Sequence, residues 1–493
     1  MLELPILSIS ILLPLLSALY ILLFVSQSKS PNKQVYATYV AVLSSFFTLI
    51  STIYLLLKFK SKALSYQLVE HYSWIPSIGL DFHIGVDGIS IFFIVLTALL
   101  TLICMVASLF TIRKYPKEFL ICFLLMESFC IGAFASINLL LFYLFFEAIL
   151  IPMYIIIGIW GGENRVYAAV KFFLYTFFGS VFFLLALIYI YTQVHNFNMV
   201  ELNSSLPLLA LSVQKILWVA VFIAFAVKMP MLPFHTWLPD AHVQAPTAGS
   251  VILAGILLKL GAYGFLRISI PMFPDISKEF ACYVLVLSVF AVIYGSLVAM
   301  AQRDMKKMIA YSSIAHMGYV TGGIFSLTPE GVKGAIYQMI SHGVVASALF
   351  LIVGVLYDRL HTKEITKYGG VATKMPVLAV CFMIAMLGSI GLPGTSGFIG
   401  EFLCLLGIYK ANITMAVLTA TGVILGAVYM LRLYKEVMLG EITNKEVMNF
   451  KDLHLYEIIS IVPLCILIIY LGIMPNTIMN MLNSSVSKIL LLN

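Results

Sequence analysis

Charge is what this sequence has least of. Lys, Arg, Asp and Glu together make up 10% of its 493 residues, where an ordinary soluble domain has about 25%. So few charges cannot cover a water-soluble fold of this size, and such a fold is excluded. Disorder, coiled coil and nucleic-acid binding fall with it, because each needs a long polar or basic face. The net charge of +7 is spread over many short loops and makes no basic patch. Cysteine is also scarce. Cys104, Cys122, Cys130, Cys282, Cys381, Cys404 and Cys465 all stand in apolar runs, without a CxxC pair. They read as small buried hydrophobes, and nothing suggests an iron–sulfur or zinc site of the chain's own. A charged n-region and a small-residue cleavage site are missing, so no removable signal peptide is expected. No GxGxxG motif sits in a βαβ setting. Glycines recur every third residue from Gly391 to Gly400, but no strand precedes them and no Lys-Ser/Thr follows, so a phosphate loop is not expected.

What the chain has is apolar length. Hydrophobic residues make up 62% of it, and the mean hydropathy is +1.05. Its apolar runs are about 20 residues long, the length of a membrane-spanning helix rather than of a barrel strand. The expected fold is an all-α polytopic membrane protein in a lipid bilayer. Its fourteen spans lie near 4–26, 35–57, 88–111, 118–136, 138–160, 166–192, 208–238, 246–267, 280–301, 306–327, 331–357, 376–408, 412–434 and 455–482. The fourth and fifth meet at Ser136-Ile137-Asn138, a turn so short that they must be antiparallel neighbours. No segment reads as a separate soluble domain. Loop charge sets the orientation. Of the 29 Lys and Arg, sixteen fall in odd-numbered connections, among them Arg113, Lys114, Lys117, Arg303, Lys306, Lys307, Arg359, Lys363, Lys367 and Lys374. Nine fall in even-numbered connections and the C-terminus, and four (Lys171, Lys228, Lys259 and Arg432) inside spans. The excess places odd connections in the cytoplasm or matrix and both termini on the opposite side.

Ionisable residues inside spans are costly and are functional candidates by default. Their spacing suggests a repeat. Lys228 to Lys259 is 31 residues and so is Glu401 to Arg432, with a shift of 173 between the pairs. A shift of 166 lays Ala168–Ser180 on Gly334–Ala346. Lys228 and Glu401 are five spans apart, so the two copies would run in opposite directions. The result is an inverted repeat of five helices, the fourth to eighth spans against the ninth to thirteenth, as in many transporters. The chain then divides into 1–111, a first repeat at 118–267, a second at 280–434 and a last helix with its tail at 455–493. Each repeat carries a damaged helix at the same place. Pro230, Pro233 and Pro239 follow Lys228 within the seventh span, and Gly391, Pro393, Gly394, Gly397 and Gly400 precede Glu401 in the twelfth. Neither run can be a continuous helix, and broken helices in matching positions point to an ion path.

Glu147 stands about halfway along its span and cannot reach the interface from there. It is a neutral acid bonded to a neighbouring helix, or a partner for Lys228. At ~5 Å and an effective dielectric of ~20, such a pair is worth roughly 3 kcal/mol, so moving or protonating the carboxylate would let the lysine release its proton. Lys228 marks the helix break, with interface snorkelling as the alternative. Lys259 lies deep in the eighth span, with a structural salt bridge as the alternative. Glu401 follows small residues and could be a packing residue instead. Arg432 and Lys171 lie near span ends, where anchoring competes with function. His235, His242, His316 and His342 fall in or beside the seventh, tenth and eleventh spans. Histidine both gives and takes protons near neutrality, so four of them with Lys228, Lys259 and Glu401 read as a chain rather than as isolated core residues. His-x6-His at 235 and 242 is not a convincing metal spacing. Glu127 is unassigned, and Asp304 in its basic loop reads as solvated.

These motifs carry a resemblance. Lys228-Met-Pro-Met-Leu-Pro-Phe-His235-Thr-Trp-Leu-Pro-Asp240-Ala-His242-Val-Gln-Ala-Pro246-Thr-Ala-Gly-Ser, running on to Ala254-Gly-Ile-Leu-Leu-Lys259, resembles the signature of the antiporter-like subunits of respiratory complex I. Val86-Asp87-Gly88-Ile89-Ser90, Phe146-Glu147, Tyr311-Ser-Ser-Ile-Ala-His316-Met-Gly318 and Gly391-Leu-Pro-Gly394 fit as well. The resemblance implies a membrane-arm subunit in a bacterial inner or mitochondrial inner membrane. It would have other membrane-arm subunits as partners and pump protons while NADH is oxidised and quinone reduced elsewhere in the complex. It implies a relay in which Glu147 and Lys228 pair, Lys259 is central, His316 and His342 assist, and Glu401 ends the lateral path. NADH, FMN, iron–sulfur clusters and quinone would belong to partner subunits, and no cofactor or metal to this chain. A subunit of a multisubunit sodium/proton antiporter is the rival reading, and Glu401 is the discriminating residue, because the related subunits usually carry Lys there. A spacer subunit that no longer pumps is a second rival, and the set of buried charges argues against it.

Overall fold

The computed structural model describes residues 4–25, 31–109, 111, 112 and 114–491. Arg113, one of the loop cations counted above, lies outside them. In chain order the elements are α1 (Ile6–Phe24), α2 (Pro31–Lys58), β1 (Gln67–Ile75), β2 (Leu80–Val86), α3 (Ser90–Ser108), α4 (Pro116–Ala135), α5 (Leu139–Trp160), α6 (Arg165–Val194) and α7 (Leu211–Lys228). They continue with α8 (Trp237–Gln244), α9 (Thr247–Met272), α10 (Pro274–Met300), α11 (Met305–Phe325), α12 (Pro329–Leu360), α13 (Pro376–Ile390), α14 (Ser396–Ala411), α15 (Ile413–Met438), α16 (Leu455–Ile473) and α17 (Asn476–Leu491). The chain is an all-α polytopic membrane protein with one small hairpin.

Among the described residues, twelve helices are long and apolar enough to cross a membrane. Two of the fourteen expected spans fall outside that count. The first is 306–327, where α11 carries Lys306, Lys307 and the polar Tyr311-Ser312-Ser313. The second is 376–408, which is not one helix but two, α13 and α14. The expected span at 208–238 ends early, at Lys228. Helix resumes only at Trp237, because Pro230 and Pro233 have no N–H to continue the ladder.

The chain forms two compact units. The first holds 1–229, 256–280 and 480–493, and the second 230–255 and 281–479. In the first, the α4–α5 turn is set by Asn138, whose side chain accepts from the Leu140 and Leu141 amides at 3.0 Å. The antiparallel hairpin β1–β2 pairs His71 with His83 and Tyr72 with Phe82. Its Ser-Ile-Gly turn closes on Gly79 at φ +66°. Glu70 ties the hairpin to the start of α1 by accepting from the Leu7 and Ser8 amides at 3.0 and 3.1 Å. Those amides have no partner within the helix and attract a carboxylate. The stretch 58–87, between the second and third expected spans, therefore holds this unit's sheet.

In the second unit α12 is the axis. Its most apolar stretch is wholly buried, and α11, α13, α14 and α16 pack around it. The glycine spacing at 391–400 has a steric cause. Gly391 and Gly394 turn the chain at φ +76° and +95°, a region glycine enters without penalty. A Cβ on Gly397 would lie 2.0 Å from the Gly388 carbonyl oxygen, and one on Gly400 would lie 2.4 Å from Gln338 Oε1. The run is a helix break followed by a close approach of α14 to α12. Six of the seven cysteines are buried as expected, and Cys282 is exposed.

Candidate functional site

Each unit brings together part of the expected set. In the first, Glu147 lies on α5 and Lys228 at the end of α7. They are electrostatic neighbours, but the Lys228 ammonium makes no hydrogen bond to the carboxylate. The Lys228 ammonium instead sits 4.6 Å from the centre of the Phe146 ring. Its nitrogen and Glu147 Oε1 are both buried without a hydrogen-bond partner. The carboxylate is hydrogen-bonded to the Ser180 hydroxyl, so a cation held on an aromatic face stands beside a carboxylate with one oxygen still open, poised to change partners.

Lys259 lies in α9, whose most apolar stretch is wholly buried. Two widened turns, Leu253–Leu257 and Phe265–Ser269, flank it. Such turns free backbone carbonyls and recur at functional places in helices. Gly261 lets α9 approach α7 closely, since a Cβ there would lie 2.7 Å from the Phe225 carbonyl oxygen.

The second unit holds a hydrogen-bonded network in which Gln338 Oε1 is left without a partner. His316 on α11 contacts Glu401 on α14 through Nδ1 and Oε1 at 2.8 Å. The Gln338 amide of α12 donates to the same Oε1 at 3.1 Å, and His316 Nε2 is 3.3 Å from the Ser389 hydroxyl of α13. The His342 ring lies 5.5 Å from that of His316. His316, Gln338, Ser341, His342, Ser389 and Gly397 line a cavity of about 10 Å³, room for about one water. Relative exposures are 2% for Lys228, 0% for Lys259, 7% for His316, 4% for His342 and 5% for Glu401. Glu147 is half-buried.

Other candidates separate from this set. His242 stacks on Phe350 at 4.6 Å, and His235 meets Tyr294 edge-on at 5.2 Å. Arg432 is exposed and pairs with Glu436 at 2.8 Å one turn on, an anchor rather than a counterpart of buried Lys259. Lys171 lies beside the Tyr167 ring. Asp304 caps α11, accepting from the Lys307 amide at 2.9 Å. Glu127 is buried and accepts from the Ser45 hydroxyl at 2.7 Å.

Against the curated proteins and the solved structures, the likeness spans nearly the whole chain. The family described as NADH:quinone oxidoreductase/Mrp antiporter, TM, matches residues 136–426. NADH-quinone oxidoreductase subunit M of Rickettsia bellii (strain RML369-C) is 70% identical, with 99% of each chain covered. The chain belongs to this family. NADH-ubiquinone oxidoreductase chain 4 of Marchantia polymorpha is 46% identical over 97% of this chain and 96% of its own. A chain of the respiratory complex I structure from Thermus thermophilus with bound NADH superposes with a TM-score of 0.86 at 30% identity, covering 98% of this chain and 99% of that one. The family motif around Asp87 now has a local cause. Asp87 accepts from the Ile89 and Ser90 amides at 3.1 and 3.0 Å and caps α3, while Gly88 leaves room for α17, where a Cβ would lie 2.0 Å from the Met481 carbonyl oxygen.

Sequence reasoning missed three buried ions. Arg267, counted as a loop cation, is buried against Asp87. Lys306, also counted as a loop cation, is buried and donates to the Ala245 carbonyl at 2.6 Å, beside Lys363, which donates to Val243 at 2.6 Å. Both lysines satisfy the last carbonyls of α8, where a cation is favoured. Glu457 receives a two-pronged bond from Arg359, both contacts at 2.7 Å. For Arg267, the place at the end of an apolar run, after Gly264-Phe-Leu, was the available signal. Among the described residues no three His, Cys, Asp or Glu side chains are placed to hold a metal ion.

Proposed function

We propose that this chain is a proton-translocating membrane-arm subunit of NADH:quinone oxidoreductase. Glu147 and Lys228 load the proton, Lys259 passes it on, and His316, with His342 assisting, exchanges it with Glu401. The observation that carries this reading is the burial of Lys228, Lys259 and Glu401 in apolar spans, with a histidine in contact with the last. A buried ion costs several kcal/mol, so a protein that only fills space has no reason to hold three of them.

The chemistry is proton exchange alone. The Lys228 ammonium makes no hydrogen bond, so a shift of Glu147 toward or away from it changes how tightly it keeps its proton. His316 has Glu401 on one ring nitrogen and Ser389 near the other. It can therefore take a proton on one side and give one on the other, with no bond to carbon made or broken. NADH, FMN, iron–sulfur clusters and quinone belong in this reading to the partner subunits. The excess of basic residues in odd-numbered connections places both termini on the periplasmic or intermembrane side. The five-helix repeats, 118–267 and 280–434, supply one broken helix each.

Two experiments test the reading. Lys259→Leu, in the whole complex reconstituted in vesicles, is expected to abolish proton pumping with assembly intact; normal pumping would end the relay. Cysteines placed near the termini are expected to react with an impermeant reagent only from the periplasmic side. Efficient labelling from the cytoplasmic side would reverse the topology.

A further inference from the structure

We propose that the first unit has a proton outlet of its own, leading from Lys259 past Tyr263 to the hairpin face and closed by the ion pair of Arg267 with Asp87. The proposal rests on the relay reading of Lys259 and adds a branch to it. Four observations in the same unit carry it.

Lys259, Tyr263 and Arg267 follow one another along α9 at intervals of four residues, which places the two cations about 12 Å apart along the axis. The Tyr263 hydroxyl donates to the Phe134 carbonyl at 2.9 Å and accepts from the Arg267 guanidinium, which also lies 5.1 Å from the Tyr263 ring, so the hydroxyl joins the helix to the ion pair. Arg267 is buried against Asp87 at the start of α3, yet its Nε has no hydrogen-bond partner. A cavity of about 30 Å³ opens beside the pair, room for about two waters. Tyr66, Asn203, Ser485 and Lys488 line it together with Asp87 and Arg267.

The pair is built as a closed gate. Arginine keeps its charge at any working pH, and a fixed cation at a narrow point excludes protons. Burial alone would push the Asp87 carboxyl up. The Arg267 guanidinium and the Ser90 and Ile89 amides overturn that and hold it below the usual carboxylate range. Lys488 of α17, half-buried and 5.5 Å from the Tyr66 ring, adds a second cation at the same mouth. In the open step the Lys259 N–H bond breaks and an O–H bond forms on Asp87, with water and the Tyr263 hydroxyl between. Lys259 becomes neutral, Asp87 becomes neutral and loosens from Arg267, and the proton then leaves to water at the hairpin face.

The test uses the whole complex in vesicles, resting and without substrate, with an external pH jump and an internal pH dye. Arg267→Gln removes the excluding charge and is expected to raise passive proton flux about tenfold, a barrier change of about 1.4 kcal/mol. Adding Lys259→Leu is expected to return that flux to the unmodified level, since the route runs through Lys259. Asp87→Asn keeps the oxygen that caps α3 but cannot take a proton. It is expected to lower the protons pumped per electron without raising the leak. No rise in flux for an assembled Arg267→Gln complex, or a leak that survives Lys259→Leu, overturns the outlet. If Arg267→Gln does not assemble, unchanged pumping stoichiometry in Asp87→Asn overturns it. Normal pumping in Lys259→Leu alone would sink the relay reading as well. A Lys259-dependent pump indifferent to both Asp87 and Arg267 would sink only the outlet.

Discussion

Glu147 with Lys228 and His316 with Glu401 are both acid–base pairs set among apolar helices, the first with its carboxylate half-buried and the second with both members buried, and they are built differently. The first is open. Its lysine rests on the Phe146 ring, and both charged groups keep an atom with no hydrogen-bond partner. The second is more fully bonded, with both charged groups in contact and Gln338 Oε1 left without a partner. Glu401 Oε1 is in contact with His316 and accepts from Gln338, and His316 also reaches Ser389. An open pair is sensitive to small displacements because little more than the Phe146 ring and the Ser180 hydroxyl steadies its charges. A more fully bonded network holds geometry and spreads the loss when one member changes. The two sites therefore suit different tasks, loading on the one side and orderly exchange on the other.

The largest effect is expected at the open pair. Lys228→Leu removes the loading cation and should abolish coupled quinone reduction in membranes, with the complex still assembled. Glu147→Gln should come close to that loss, while Glu147→Asp retains more activity, since a shorter carboxylate still titrates. Near-normal pumping in Glu147→Gln would erase the contrast, leaving that carboxylate a structural role.

Gly400→Ala is expected to act next. The added methyl meets Gln338, and overpacking of this kind costs about 1–3 kcal/mol. It should move Gln338 off Glu401 and lower both thermal stability and pumping, as read by a melting curve and vesicle acidification. Full stability would show that the α12–α14 contact yields easily. The smallest effect is expected from Arg432→Gln. Its pair with Glu436 is an exposed contact one turn apart, worth about 0.3–0.5 kcal/mol, so turnover and melting should be unchanged. A large loss there would restore Arg432 as the counterpart of Lys259.

Much of this was legible in the sequence for physical reasons. An ion inside twenty apolar residues stands out, so Glu147, Lys228, Lys259 and Glu401 could be picked out one by one. Prolines and glycines announced both breaks. The hairpin was not legible because β1 is exposed on most of both faces, so its residues show no alternation of burial to read. Its turn, Pro76-Ser-Ile-Gly79, was the one available signal. Lys306 and Arg267 were misplaced because each stands at the edge of an apolar run, where composition cannot tell a snorkelling cation from a buried one. The partners that decide the matter, Asp87 for Arg267 and the Ala245 carbonyl for Lys306, are 180 and 61 residues away. The His316–Glu401 contact, across 85 residues, depended in the same way on how α11 and α14 pack, which spacing alone does not specify.

The most direct measurement is proton pumping per electron by the complex carrying Glu401→Gln, reconstituted in sealed vesicles. Glutamine keeps the shape of the side chain and can still bond His316 and Gln338, but it cannot take up a proton. An assembled, stable complex is expected, with protons per electron and coupled rate both lowered. An unchanged stoichiometry at an unchanged rate would contradict a relay role and leave Glu401 a packing residue in an otherwise hydrogen-bonded network.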